Sequence, residues 1–363
     1  MATLAEVTLI PIPDDPGLHH TLGILSALAS MLCWVITSMA FTTAGRRYGT
    51  TTVNVTRSLL AMVLILVMVK ALSGSFMPFP EDTRLLWLAL SGIAGLAIGD
   101  QLIFAAFNRI GPRLTLLILN LAPVATALIA WPVLGEPLHM LGWLGMVITI
   151  AGVSAVISEG DAPKQEKVEG GSMLFNAKLG ITLALSGVIA VSIGNVLAKL
   201  GMLPATSDAG QGTGVDPLVA QDARMIAGAV MIVVMACLAG LTGRRIGTPP
   251  EPDPSRRPAR WLAIGSLGVG TILGPVFGIF FFLYSAALIE VGVTATIVAL
   301  TPVAILPFNR LIEGSNPSTR AIIGAVVGVL GVGMLALGTT PDMDGGEAAD
   351  GPSTSIESVE FPP

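Results

Sequence analysis

Two side chains of opposite charge stand inside otherwise apolar stretches. Asp100 follows Gly92-Ile-Ala-Gly-Leu-Ala-Ile-Gly99 and is followed by Gln101, while Arg57 lies within the run from Thr52 to Leu72. A charge at mid-bilayer costs about 2.5–3.5 kcal/mol on insertion scales, so it normally faces a partner or a wet cavity. If both runs cross a membrane as helices, the one holding Arg57 starts on the side where the one holding Asp100 ends. At about 1.5 Å per residue, both groups then lie within roughly 8–11 Å of that surface, close enough for a salt bridge. The pair then has two readings. It is a static structural contact, with snorkelling of Arg57 to headgroups as a variant, or it is a gate or proton-coupling carboxylate. A carboxyl group balanced between desolvation and a guanidinium can exchange its proton when the pair separates and water arrives.

Arg224 is the second arginine within an apolar run, with Asp222, Tyr284 and Glu290 at similar expected depth. Anchoring at the membrane interface is its simpler reading, and a substrate contact the sharper one. Gln101, Asn120, Asn195, Tyr284 and Ser285 could hydrogen-bond a polar ligand or only a neighbouring helix. Trp34 could line a cavity or pack in the core. Pro123, Pro302 and Pro275 are expected to break helices, since proline removes a donor and clashes with the preceding turn.

No catalytic constellation emerges. His19, His20 and His139 fall in a tail and a loop without metal-ligand spacing, and no P-loop or Gly-x-Ser-x-Gly motif is present. Cys33 and Cys237 read as small buried side chains. No cofactor, metal or nucleic acid is expected. The expected partners are the lipid bilayer, a small-molecule substrate and protons, with the oligomeric state left open.

The elements that carry these residues are membrane spans. The chain is 53% hydrophobic with 12% charged residues and a mean hydropathy of +0.79, against about 25% charged in soluble domains. The fold class expected is therefore an all-α polytopic membrane protein. Runs of about 20 apolar residues fall near 22–42, 52–72, 85–107, 114–134 and 140–157, then near 179–199, 219–241, 261–288, 292–311 and 321–337. A tight corner at Asn108–Arg113 joins the third and fourth. Residues 1–21 read as a tail without a signal-peptide pattern, 159–178 as a hydrophilic linker, and 339–363 as an acidic disordered tail.

The halves 22–158 and 179–338 share landmarks in the same order. Leu22-Gly23 opens the first as Leu179-Gly180 opens the second, and Arg57 answers Arg224. Leu121-Ala-Pro-Val-Ala125 echoes Leu300-Thr-Pro-Val-Ala304, and Gly145 and Gly152 match Gly324 and Gly331. Aligned on Gly111 and Gly292, Asp100 corresponds to Phe281. Five spans per copy is odd, so the second copy must enter the membrane inverted, with substrate sites expected between the copies near mid-membrane.

The stretch Gly99–Glu136, with its Ala-Pro-Val core and Leu-Gly-Glu end, and its counterpart Leu300–Glu313 resemble the EamA family of the drug/metabolite transporter superfamily. The resemblance implies ten helices in two EamA-type repeats. The second copy departs by two fewer residues between Pro302 and Glu313 than between Pro123 and Glu136. Fourteen of the nineteen Lys and Arg residues fall in loops on one face, Arg46 and Arg47 among them. Only Lys70, Arg84 and Lys199 fall on the other. The positive-inside rule then places both termini outside, whereas the resemblance implies both inside.

The function expected is a secondary transporter of a small organic metabolite or drug-like compound, working by alternating access, an exporter driven by protons or exchange. The bacterial plasma (inner) membrane is its expected site. A membrane enzyme that modifies lipids or a non-transporting scaffold is the alternative.

Overall fold

The computed structural model describes residues 16–76, 79, 83–159, 173–204, 214–241, 255, 257–304 and 319–337. Within them every regular element is helical. The first half holds α1 (Pro16–Tyr48), α2 (Thr50–Ser73), α3 (Thr83–Ser91), a π-helical segment π1 (Gly92–Gly99), α4 (Asp100–Leu119), α5 (Ala122–Leu134) and α6 (Met140–Glu159). The second holds α7 (Met173–Met202), α8 (Pro217–Leu241), α9 (Arg260–Thr271), π2 (Ile272–Gly278), α10 (Ile279–Leu288), α11 (Val291–Val298), α12 (Thr301–Ala304) and α13 (Thr319–Leu337).

Seven helical stretches are long and apolar enough to cross a membrane, and Met140–Val156, Val291–Ala304 and Ile322–Leu335 form shorter apolar helices. In hydrocarbon each backbone N–H and C=O must be satisfied within its own segment, which favours helix over any open strand. The outer faces are apolar as well: Leu25, Leu32, Val67, Val230 and Val329 are exposed. Lipid, not water, is the solvent that suits such a surface.

Helix limits differ from the sequence-based ones, most plainly at two N-terminal ends. Helix α1 begins at Pro16 rather than Leu22, and α7 begins at Met173 within the expected linker. The rest of that linker (160–172), most of the N-terminal tail, the acidic tail and the ninth span beyond Ala304, including Glu313, lie outside the described residues. No loop separates Asn108 from Arg113, since helical backbone runs without interruption from Asp100 to Leu119. The chain nevertheless reverses along α7. Ile110 packs where Gly180 has no side chain, whereas the Ala122 carbonyl accepts from Ser192 Oγ at 3.2 Å, twelve residues further on. The reversal therefore begins at the expected corner, between Ile110 and Ala122.

Small residues set the main crossings. On α7, Gly180, Gly187, Gly194 and Gly201 repeat every seventh residue and meet Ile110, Ile103, Gly95 and Leu88 in turn. A Cβ at Gly194 would stand 2.8 Å from the Gly95 Cα, and one at Gly201 2.7 Å from Leu88 Cγ. The order shows that α7 runs antiparallel to α3–π1–α4. Helix α1 treats α9–π2–α10 the same way. Gly23 lies under Ile289, Ser30 Oγ donates to the Gly278 carbonyl at 2.8 Å, and Thr37 Oγ1 to the Gly270 carbonyl at 3.3 Å. Each copy thus lends its first helix to the third helix of the other.

The fifth helices, α6 and α13, also cross antiparallel. A Cβ at Gly145 would lie 2.6 Å from the Gly331 carbonyl oxygen, and one at Gly152 2.5 Å from that of Gly324. Such contacts between bare backbones are the means by which membrane helices gain van der Waals packing without a hydrophobic drive.

Candidate functional site

Both copies contain a broken helix at the same landmark. In the first, Asn120 and Leu121 form a turn between α4 and α5, and Pro123 occupies the first turn of α5. In the second, Ala299 and Leu300 form a turn between α11 and α12, with Pro302 in the first turn of α12. Proline suits such positions because the first helical turn has no intrahelical acceptor for its N–H anyway. Pro275 behaves differently and does not break its helix. The backbone widens into π2, and the helix resumes through Leu288. Widening makes room for the ring and for the missing donor. Gln221 Nε2 donates to the Pro275 carbonyl and, at 2.8 Å, to that of Val276. This buried glutamine was invisible as a site residue in the sequence, where it is one amide near the start of an apolar run.

Segment π1 holds the three glycines that precede Asp100, and they serve two neighbours. Gly95 and Gly99 admit α7, at Gly194 and Val191, whereas Gly92 and Leu96 admit α8 at Arg224 and Gly228. Directly after them, Asp100 Oδ2 lies 2.5 Å from Arg57 Nη2. Arg57 Nε donates to Asn54 Oδ1 at 2.8 Å, and the guanidinium sits 5.5 Å from the centre of the Phe41 ring. The cation therefore has a carboxylate, an amide and an aromatic face around it, all from the first copy. Asp100 keeps 27% of its side chain exposed, against 11% for Arg57.

One turn of α7 touches both π1 and the start of α5, on opposite faces. Val191 touches Gly99, next to Asp100; Ser192 binds Ala122, two residues beyond Asn120; and Gly194 touches Gly95. Asn120 is buried with its Nδ2 unpartnered among the described residues. Arg224 is 3% exposed, with Nη2 3.9 Å from where a Gly95 Cβ would stand. Its guanidinium is enclosed beside π1, against the first copy. Its Nε and Nη1, and both carboxylate oxygens of Asp222, lack hydrogen-bond partners among the described residues.

The other expected residues fall elsewhere. Ser285 Oγ is spent on Thr294 Oγ1, 2.8 Å away, a contact between α10 and α11. Tyr284 is buried and stacks on Phe280 with centroids 6.0 Å apart. Trp34 is half-buried, its Nε1 3.4 Å from where Gly278 would carry a Cβ. Gln101 and Asn195 are half-buried.

A second ion pair joins the copies. Lys199 Nζ pairs with Glu136 Oε1 and donates to the Ile289 carbonyl at 2.6 Å, while the Val291 N–H donates to Glu136 Oε2 at 3.1 Å. The two charges occupy the corner between α10 and α11, where Ile289 is extended and the chain ends of both helices are open. From the sequence, Glu136 reads only as a group at a span end, because its partners are far away in the chain. Among the described residues no cluster of three or more His, Cys, Asp or Glu side chains could hold a metal.

The comparisons with known proteins agree with this architecture. The model of the EamA-like transporter family matches residues 21–158 and again 178–337. An uncharacterized transporter of the cyanobacterium Synechocystis sp. is 25% identical over 270 residues, which is 72% of this chain and 74% of that protein. A solved structure described only as the crystal structure of a protein superposes with a TM-score of 0.62 at 16% identity. It covers 87% of this chain and 97% of its own, a likeness of fold alone. With its family's repeat matched twice across most of its length, the chain belongs to the EamA-like transporters of the drug/metabolite transporter superfamily and is an integral membrane transporter.

Proposed function

We propose that this protein is a secondary carrier of a small organic metabolite, alternating access to a site between two inverted five-helix repeats. The observation that carries the reading is the pair of broken helices at Asn120–Leu121 and Ala299–Leu300. Discontinuous helices at matching positions of two repeats characterise the midplane sites of such carriers, because freed backbone groups can face only protein or a wet cavity. The antiparallel crossing of the equivalent helices α6 and α13 supports inversion, since equivalent helices of two inverted copies point in opposite directions. Ten crossings follow if the three shorter apolar helices also span.

In this reading Asp100 is the coupling carboxylate and Arg57 its resting partner. Opening the pair to water releases or takes up a proton as one copy rocks against the other. Export across a bacterial plasma membrane is the direction and place we favour. The test is flux in proteoliposomes. A metabolite identified by comparing media from cells with and without the protein should be accumulated by the purified carrier under an imposed pH gradient or by counter-exchange. Failure of both, with correctly folded protein, would remove the carrier reading in favour of a scaffold. Chemical conversion of a lipid by the same preparation would favour an enzyme.

A further inference from the structure

The geometry points to Arg224 as the group that binds an oxyanion of the substrate, which makes the substrate class an organic anion carrying a carboxylate or a phosphate. The inference rests on the carrier reading and names what its site selects. Arg224 is 3% exposed within a membrane-spanning helix, and neither Nε nor Nη1 has a hydrogen-bond partner among the described residues. A buried guanidinium left without an anion is strongly unfavourable, so a working state must supply one.

The chain's nearby carboxylates are poorly placed to do so. Asp100 is engaged by Arg57, and Asp222 is two residues away on the same helix, about 200° round its axis. That angle also argues against a zwitterion, because one small ligand cannot reach Arg224 and Asp222 on opposite sides of α8. The location suits a substrate: the guanidinium lies beside the Gly95–Gly194 crossing, where the two copies meet. The planar guanidinium can take a carboxylate or phosphate through two parallel N–H···O bonds, a geometry an ammonium group lacks.

The test is ligand-dependent thermal stabilisation of the purified full-length protein. The probes are acetate, butyrate and benzoate, their primary amides, the amines ethylamine, butylamine and benzylamine, and phenyl phosphate. At least one anion should raise the melting temperature in a saturable way, and the matched amide and amine should not. Carboxylates and phenyl phosphate form separate arms, so their ranking identifies the oxyanion. Arg224→Gln should weaken that anion roughly tenfold or more, the scale of a lost charge-assisted hydrogen bond. Arg224→Lys, which keeps the charge and guards against a folding artefact, should fall between. Asp222→Asn should leave the anion's affinity unchanged. Equal stabilisation by amide or amine, stabilisation by no anion, or unchanged affinity in Arg224→Gln would overturn the proposal. Arg224-dependent anion binding without flux in proteoliposomes would instead remove the carrier reading and leave the anion site standing. Flux of an amine that survives Arg224→Gln would do the reverse.

Discussion

The two ion pairs, Arg57–Asp100 and Lys199–Glu136, are equally buried on the cationic side, with 11% exposure for each. They differ in what else holds them. Lys199 and Glu136 each have a second partner in the main chain, the Ile289 carbonyl and the Val291 N–H. They thereby complement the ends of α10 and α11, where a helix leaves carbonyls and N–H groups unsatisfied. Pulling them apart exposes two backbone groups as well as two charges. Arg57 is backed by side chains only, Asn54 and Phe41, and its partner Asp100 is 27% exposed against 14% for Glu136. One pair is a rivet between the copies, and in the proposed carrier cycle the other is the one that opens.

Removing one member of each pair should separate these roles. Asp100→Asn is expected to abolish accumulation driven by a pH gradient while substrate exchange persists, measured in proteoliposomes with and without the gradient. Lys199→Met should leave gradient dependence intact in whatever protein folds, but cost about 3–5 kcal/mol of stability, the usual penalty for stranding a buried charge. Chemical or thermal unfolding in detergent would show it.

The double change Arg57→Gln with Asp100→Asn should return stability to within about 1–2 kcal/mol of the parent, since buried polar contacts in membrane proteins are individually modest. It should not restore gradient-driven accumulation. Recovery of accumulation would reduce this pair to a second rivet. The smallest contrast lies on α7. Gly194→Ala puts a methyl 2.8 Å from the Gly95 backbone and should cost about 1–3 kcal/mol as overpacking. Gly95→Ala meets nothing nearer than 3.6 Å and should stay within about 0.5 kcal/mol.

The duplicated proline landmarks are legible in the sequence because proline acts locally, and both lie directly after a turn in the structure. The spacing of Gly145, Gly152, Gly324 and Gly331 is equally plain, but their mutual contact is not. The proximity of Arg57 and Asp100 follows from helical rise and span order, both local rules. Lys199–Glu136 and the grip of Gln221 on π2 depend on which helices become neighbours, and nothing within a single span encodes that. The same limit applies to Arg224. Depth can be counted along α8, but enclosure against π1 is a property of the crossing. The corner at Asn108–Arg113 is legible as well, because Gly111-Pro112 is a local turn signal, and the chain reverses along α7 just beyond Ile110.

The evenly repeated glycines of α7 also restrict how the copies can move. Their notches recur every seven residues, about 10.5 Å along the helix. A slide of one helix past the other therefore meets side chain against backbone until a whole notch interval has been covered. No intermediate register fits. A pivot about the notch where glycine meets glycine, Gly194 on Gly95, needs no such climb, since ridges and grooves tolerate a change of crossing angle far better than a fractional shift. In the proposed carrier cycle the crossing is thus a hinge pin rather than a rail, and α1 carries a like one on α9 and π2, where Thr37 and Ser30 donate to the Gly270 and Gly278 carbonyls.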